Sequence, residues 1–198
     1  MTARPIRTRR LDLVPATGEI LSADLNDHKR LSRLLDAEVP AAWPPAEMTR
    51  EVLSEFYRME SEKTDPLFAC WYWVLDEPGA ARRVLVGSGG TGSAISDQKT
   101  VLIGYSVLDA FQNRGYATEA VQGMIPAIFS HPRISRIMAT TFPELKASIR
   151  VLEKTGFTCT GPTQAGEGLE EGSLGFVLER QASGTSNRPK SQSRPRVS

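Results

Sequence analysis

The stretch Gln112-Asn113-Arg114-Gly115-Tyr116-Ala117-Thr118-Glu119-Ala120 is the part of the chain best suited to chemistry. It follows the apolar run Val101–Leu108 and opens an amphipathic segment, so a strand is predicted to pass through a short loop into a helix. At such a junction the first helical N–H groups have no partner within the helix and sit at the positive end of its dipole, which makes them a ready anion site. Gly115 removes a Cβ where a ligand would approach the backbone, Ala117 keeps the next turn small, and Arg114 can add a full charge. Together these features suit a diphosphate. Glycine-rich junctions also occur simply to make a turn, so local physics alone leaves both readings open. The missing Gly-Lys-Ser/Thr argues against a nucleoside triphosphate loop, and the missing third glycine against a dinucleotide fingerprint.

The flanking sequence supplies the elements that must hold this junction. Leu11–Val14, Phe68–Leu75, Arg83–Gly87, Val101–Leu108, Ile134–Thr141, Phe157–Thr160 and Leu174–Leu178 are predicted strands. Asp27–Leu35, Thr49–Glu62, Ala117–Phe129 and Ala147–Lys154 are predicted helices, with Asp27 and Thr49 as caps and Gly156 at a C-terminal stop. Pro126 is expected to kink or shorten its helix. The run Gly87–Gly92 is too glycine-rich for regular structure and is predicted to be a bulge or loop. Strands that first pair by hairpins and then alternate with helices indicate an α/β or α+β sheet with helices on its faces.

Composition bounds the rest. The chain has 198 residues, 40% hydrophobic and 24% charged, which fits one soluble globular domain with a sizeable core. Cys70 and Cys159 cannot form a disulfide framework and lack partners at metal-ligand spacing, so a reducing, cytoplasmic location without a metal is expected. No run of 18 apolar residues exists to span a membrane, and no apolar stretch follows the N-terminal arginines as a secretory signal would require. Residues 1–10 carry four Arg and residues 180–198 five basic groups, with no acid in either, so the body between them is acidic. An acidic body is poorly matched to duplex nucleic acid. Residues 1–180 are read as one domain and 181–198, rich in Ser, Arg and Pro, as a disordered basic tail.

Three segments in order, Gly104-Tyr105-Ser106-Val107, Gln112 to Ala120, and Ala147-Ser148-Ile149-Arg150-Val151-Leu152-Glu153-Lys154-Thr155-Gly156-Phe157, resemble the GNAT superfamily of acetyl-CoA-dependent N-acetyltransferases. Thr8-Arg9-Arg10-Leu11-Asp12-Leu13 narrows the likeness to the ribosomal-protein N-terminal acetyltransferase-like (RimJ/RimL-type) branch. The resemblance spans about residues 6–180. It implies a mixed, mostly antiparallel sheet splayed in a V beside the strand ending at Leu108, with acetyl-CoA in that V. The diphosphate would sit on the amides from Asn113 to Thr118, with Gln112 alongside, and the backbone of Ser106, Val107 and Leu108 would pair with the pantetheine arm. Ser148 would meet the departing thiolate.

The implied reaction is direct transfer of acetyl to a primary amine of a small molecule or a protein N-terminus. Two positions depart from the family's pattern. Leu102 stands where many relatives have Glu, and Leu145 where many have Asn. The first removes a favoured general base, the second a polar contact and a helix cap. Glu144, beside the last strand–helix junction, is the candidate replacement base, with Asp109 as another. A non-catalytic acyl-CoA-binding protein is the alternative that these departures leave open. Among the aromatic candidates for an acceptor pocket (Trp43, Tyr57, Trp71, Trp73 and Tyr105), Trp43 and Tyr105 are assigned to it. His28 and His131 are read as isolated surface residues, and pairing of sheet edges into a homodimer is left open.

Overall fold

The computed structural model describes residues 3–45, 47–65, 67–77, 79, 81–94, 97–163 and 172–181. The tail predicted to be disordered beyond Gln181 lies outside them. Among the described residues one eight-stranded sheet runs in the order β1 (Ile6–Arg7), β2 (Leu11–Pro15), β3 (Ala69–Leu75), β4 (Val84–Ser93), β5 (Thr100–Val107), β6 (Arg136–Thr141), β8 (Leu174–Glu179), β7 (Thr158–Pro162). Every pairing is antiparallel except β5 with β6.

Helices cover both faces. On one lie α4 (Tyr116–Phe129) and α5 (Lys146–Lys154), packed on Trp71, Trp73, Val101 and Ile137. On the other lie α1 (Gly18–Asn26), α2 (His28–Leu35) and α3 (Arg50–Glu62), packed on Tyr72, Val74 and Leu85. Neighbouring residues of β3 therefore enter opposite cores, as the period of two requires, and this explains why Ala69–Val74 is buried throughout.

The caps read from sequence are in place. Asp27 accepts from the Arg30 N–H at 3.0 Å, and Thr49 from the Val52 N–H at 3.4 Å. Pro126 lies inside α4 without ending it. The helix α1 and the two-residue β1 were not expected. Gly87–Gly92 is no loop but the middle of β4, and the expected irregularity falls at its start, where the register with β3 slips between the pairs Trp73–Gly87 and Val74–Leu85. These glycines serve packing. A Cβ on Gly87 would lie 2.5 Å from the Ser106 carbonyl oxygen and 3.1 Å from the Trp73 ring, and one on Gly89 would lie 2.6 Å from the same ring. The Trp73 indole fills the space those side chains would take.

Trp43 belongs to the core between α1 and the sheet, not to a pocket rim, and is 4% exposed. Its indole N–H donates to Asp24 at 2.7 Å, the Tyr72 hydroxyl donates to the same carboxylate at 2.6 Å, and the two rings tilt together at 5.8 Å. His28 is at the surface as expected but is not isolated, its Nε2 lying 3.0 Å from the Asp24 carbonyl.

Candidate active site

The sheet opens beside β5. That strand runs to Val107, yet it pairs with β6 only through Thr100, Val101 and Leu102. Beyond Leu102 the two strands part and enclose a cleft of about 530 Å³. An antiparallel ladder bonds alternate residues to its neighbour. The Leu108 N–H donates to Val86 and the Thr100 carbonyl accepts from Ala94, so the even positions of β5 spend their main chain on β4. The peptide groups of Ile103, Tyr105 and Val107 turn to the cleft. Of these the Val107 carbonyl already accepts from the Gln112 side chain at 3.1 Å.

One end of the cleft is the start of α4. Gly115 at φ 81° and Asn113 at φ 60° turn the chain sharply into the helix, and no side chain caps it. The N–H groups of Tyr116, Ala117 and Thr118 therefore lack a partner among the described residues, because the first intrahelical bond runs from Glu119 to Gly115. The loop is held from outside. The Arg10 guanidinium donates to the Arg114 carbonyl at 3.1 Å and to Glu119 at 2.7 Å, and lies 4.5 Å over the Tyr116 ring. Burial works against the Glu119 carboxylate, but Thr8 at 2.7 Å and Arg10 outweigh it and hold its pKa below the ordinary value. Arg10 thereby offsets a negative charge that would otherwise compete with an anion at the helix end.

Across the cleft Tyr105 meets α5. Its hydroxyl lies 3.2 Å from Ser148 Oγ and 3.3 Å from the Ser148 carbonyl, and its ring stacks on Trp73 at 6.4 Å. Burial pushes the Tyr105 phenol up to about 12, with the Ser148 contact offsetting part of the shift, so it is a neutral donor at physiological pH. The Thr141 Oγ is also buried on this wall and has no hydrogen-bond partner among the described residues. Arg150 and Lys154, one helical turn apart on α5, add positive charge to the lining.

A second cavity of about 340 Å³ lies on the opposite face of β4 and β5, under α3. The two share Ile103, Gly104, Tyr105, Ser106 and Glu47. A Cβ on Gly104 would meet nothing within 4 Å, so glycine leaves the junction open. At that junction the Ser106 hydroxyl donates to Glu47 Oε2 at 2.7 Å. A carboxylate thus stands where the two cavities meet. An orphaned hydroxyl, open helix-end amides and an unpaired strand edge together fit an elongated ligand with amides along its length and a polyanion at its end.

The sequence of residues 10–158, more than half of the chain, matches the family described as acetyltransferase (GNAT) domain. The chain belongs to the GNAT acetyltransferase family. It is 38% identical over 64 residues to an uncharacterized N-acetyltransferase, YnaD, of Bacillus subtilis strain 168, a match spanning 32% of this chain and 38% of that protein's length. The fold resembles that of RimL, a ribosomal L7/L12 α-N-protein acetyltransferase solved with coenzyme A, at a TM-score of 0.61 and 16% identity over 89% of this chain and 98% of that one. It also resembles the aminoglycoside acetyltransferase AAC(6')-Ib solved with paromomycin and acetyl-CoA, at 0.62 and 18% over 91% and 99%.

Within this GNAT frame most of the predicted residues converge. Tyr105, Ser106, Val107, Gln112, Asn113, Gly115, Tyr116, Ala117, Thr118 and Ser148 all line the cleft, although the Ser106 main chain, expected to pair with the pantetheine arm, is in the β4-facing register. Four do not. Leu108 is 3% exposed and its N–H is bonded to Val86, so it offers the cleft neither side chain nor amide. The Arg114 side chain lies over the Phe111 ring, 5.7 Å away, while its carbonyl is held by Arg10. Glu144 is exposed in the turn before α5 and lines neither cavity. Trp43 is core. Sequence reasoning missed Glu47 and Arg10, because each reaches the site through a contact distant in sequence, and Thr141, which read only as the last residue of a strand. Leu145 stands at the start of α5, 53% exposed and making no cap, and Leu102 is part of the apolar wall of the second cavity.

Among the described residues no three His, Cys, Asp or Glu side chains gather as metal ligands, and no helix is long and apolar enough to cross a membrane.

Proposed function

We propose that residues 1–180 form one domain that transfers acetyl from acetyl-CoA to a primary amine of a small molecule or a protein N-terminus. The parting of β5 and β6 beyond Leu102 carries this reading, because it exposes a strand edge that leads to the uncapped start of α4. The amides of Tyr116, Ala117 and Thr118 hold the diphosphate, and the cleft-facing peptide groups of Ile103, Tyr105 and Val107 receive the amides of the pantetheine arm. Arg10 acts through the loop as a positioning residue.

Acetyl-CoA supplies an activated acyl group whose carbon–sulfur bond breaks as the carbon–nitrogen bond to the amine forms. The chain's own residues handle the protons. The amine must be neutral to attack. At pH 7 this costs about 1 kcal/mol for an α-amine of pKa 7.7–8.0 and roughly 4–5 kcal/mol for a lysine-like amine near 10.4. Glu47, at the junction of the two cavities, accepts the amine's proton directly or through one water. The Tyr105–Ser148 pair donates a proton to the leaving sulfur from the opposite wall. Glu47 provides a carboxylate in place of the one missing at Leu102, which supports catalysis over the non-catalytic alternative.

Free-thiol release from acetyl-CoA, followed with a panel of α-amino peptides, amino acid amides and aliphatic amines, tests the assignment. Release above the protein-free rate with at least one acceptor is expected. Binding of acetyl-CoA with no release for any amine would overturn it.

A further inference from the structure

From the lining of the second cavity we infer that the acceptor is a primary amine with one positive charge on an apolar body about the size of one amino acid. The inference rests on the acetyl-transfer reading above. The cavity, about 340 Å³, lies near the lower end of the range for ligand pockets, about 300–1,000 Å³. Its roof is the stripe Val52, Phe56 and Met59, at helical spacing on α3, and Phe68 and Cys70 close the side toward β3. Phe56 and Phe68 tilt together at 5.4 Å. Burial pushes the Cys70 thiol up to about 12, so it adds no charge.

Glu47 is the one charged residue among the described residues lining this cavity, and it stands at the end that opens on the cleft. Asp65, near Gly92 at the far rim, is already bonded to Ser93 and to the Leu67 N–H at 2.8 Å. One ammonium therefore finds a carboxylate, and the body behind it finds methionine, valine and phenylalanine. A second or third ammonium on the same molecule would meet Phe56, Met59 or Phe68 and no second carboxylate, only the Ser88 and Thr91 hydroxyls, which are already bonded to Met48 and to the Leu67 carbonyl. The cavity thus selects against polyamines and aminosugars by leaving their extra charges unpaired.

The test compares kcat/KM for phenethylamine, leucinamide, spermidine and kanamycin with the full chain and acetyl-CoA. Calorimetric binding of the same amines in the presence of free CoA is measured in parallel. The apolar monoamines are expected to lead by at least tenfold in both measurements. Val52→Glu, which adds a carboxylate to the roof, is expected to narrow or reverse that ratio in spermidine's favour, with the affinity for CoA unchanged. Equal or better turnover of spermidine or kanamycin by the unaltered protein would overturn the inference while leaving acetyl transfer intact. Tighter calorimetric binding of the monoamines without thiol release from any amine would support the cavity's selectivity and overturn the transfer reading. No binding and no turnover of either monoamine, beside activity on other amines, would also overturn the inference.

Discussion

The Tyr105 hydroxyl on β5 lies 3.2 Å from Ser148 Oγ on α5, so the two walls of the cleft are tied together where the strands beneath them have parted. Either hydroxyl can pass a proton to a leaving sulfur, and each orients the other. Tyr105→Phe and Ser148→Ala are each expected to lower kcat by about tenfold, the scale of one hydrogen bond near 1.4 kcal/mol. The double variant is expected to lose less than the product of the two. Burial raises the Tyr105 pKa from the ordinary 10 to about 12, so its contribution to stability is complete below pH 10 and fades as pH rises toward 12. Single and double kcat values, with melting followed from pH 8 to 11, check both points. A strictly multiplicative pair would separate the roles.

Glu47→Gln retains an acceptor for the Ser106 hydroxyl but cannot take a proton. It is expected to lower kcat/KM by about 10²-fold or more, the usual scale for a general base. The KM for acetyl-CoA should stay the same. The defect should shrink as pH approaches the acceptor amine's own pKa, because hydroxide-driven deprotonation then replaces the carboxylate. A pH profile parallel to that of the unaltered enzyme would remove Glu47 from this role.

Arg10→Ala is expected to weaken CoA binding by about tenfold, or about 1.4 kcal/mol. The guanidinium braces the Arg114 carbonyl and offsets Glu119 beside the start of α4. Adding Glu119→Gln to that variant should recover part of the loss, which mere unfolding of the loop would not allow. The Glu119 pKa is held below its usual value, so its part in the clamp is complete above the ordinary carboxylate range and is lost as pH falls through the lower folded value. Calorimetry on the three proteins at pH 7 checks the coupling.

Asp24 accepts from both Trp43 and Tyr72 in the core. Asp24→Ala leaves two buried donors without an acceptor and is expected to cost about 2–4 kcal/mol. That corresponds to a fall in Tm of about 4–15 °C. Burial raises the Asp24 pKa, with the Tyr72 and Trp43 bonds offsetting part of the shift. Its stabilising contribution is therefore complete below the ordinary carboxylate range and is lost as pH rises through the higher folded value. The unaltered protein should gain on Asp24→Asn as pH is lowered across that window, and paired thermal melts will read the difference.

The cleft was legible where function and chain order coincide. A strand, a glycine turn and a helix start are consecutive in sequence, so Val101 to Ala120 already places the uncapped start of α4 after the end of β5. Residues brought in by the fold were not. Glu47 reaches Ser106 from 59 residues away, and Arg10 reaches Glu119 from 109 away. No local period encodes such contacts. Gly87 and Gly89 misled because they admit Trp73 from the neighbouring strand, a demand invisible within β4 itself. Trp43 misled for a similar reason, since its partner Asp24 lies on a helix that the apolar pattern did not reveal. Leu108 continued the apolar run of β5, and only the ladder's alternation shows that its amide faces β4.

Everything in the proposed chemistry turns on where coenzyme A lies. A crystal structure of the protein with bound CoA tests it most directly. The diphosphate should lie within hydrogen-bond distance of the Tyr116, Ala117 and Thr118 amides, with the pantetheine arm beside Ile103, Tyr105 and Val107 and its sulfur near Ser148. A diphosphate seated away from the start of α4, or an arm lying outside the gap between β5 and β6, would contradict it.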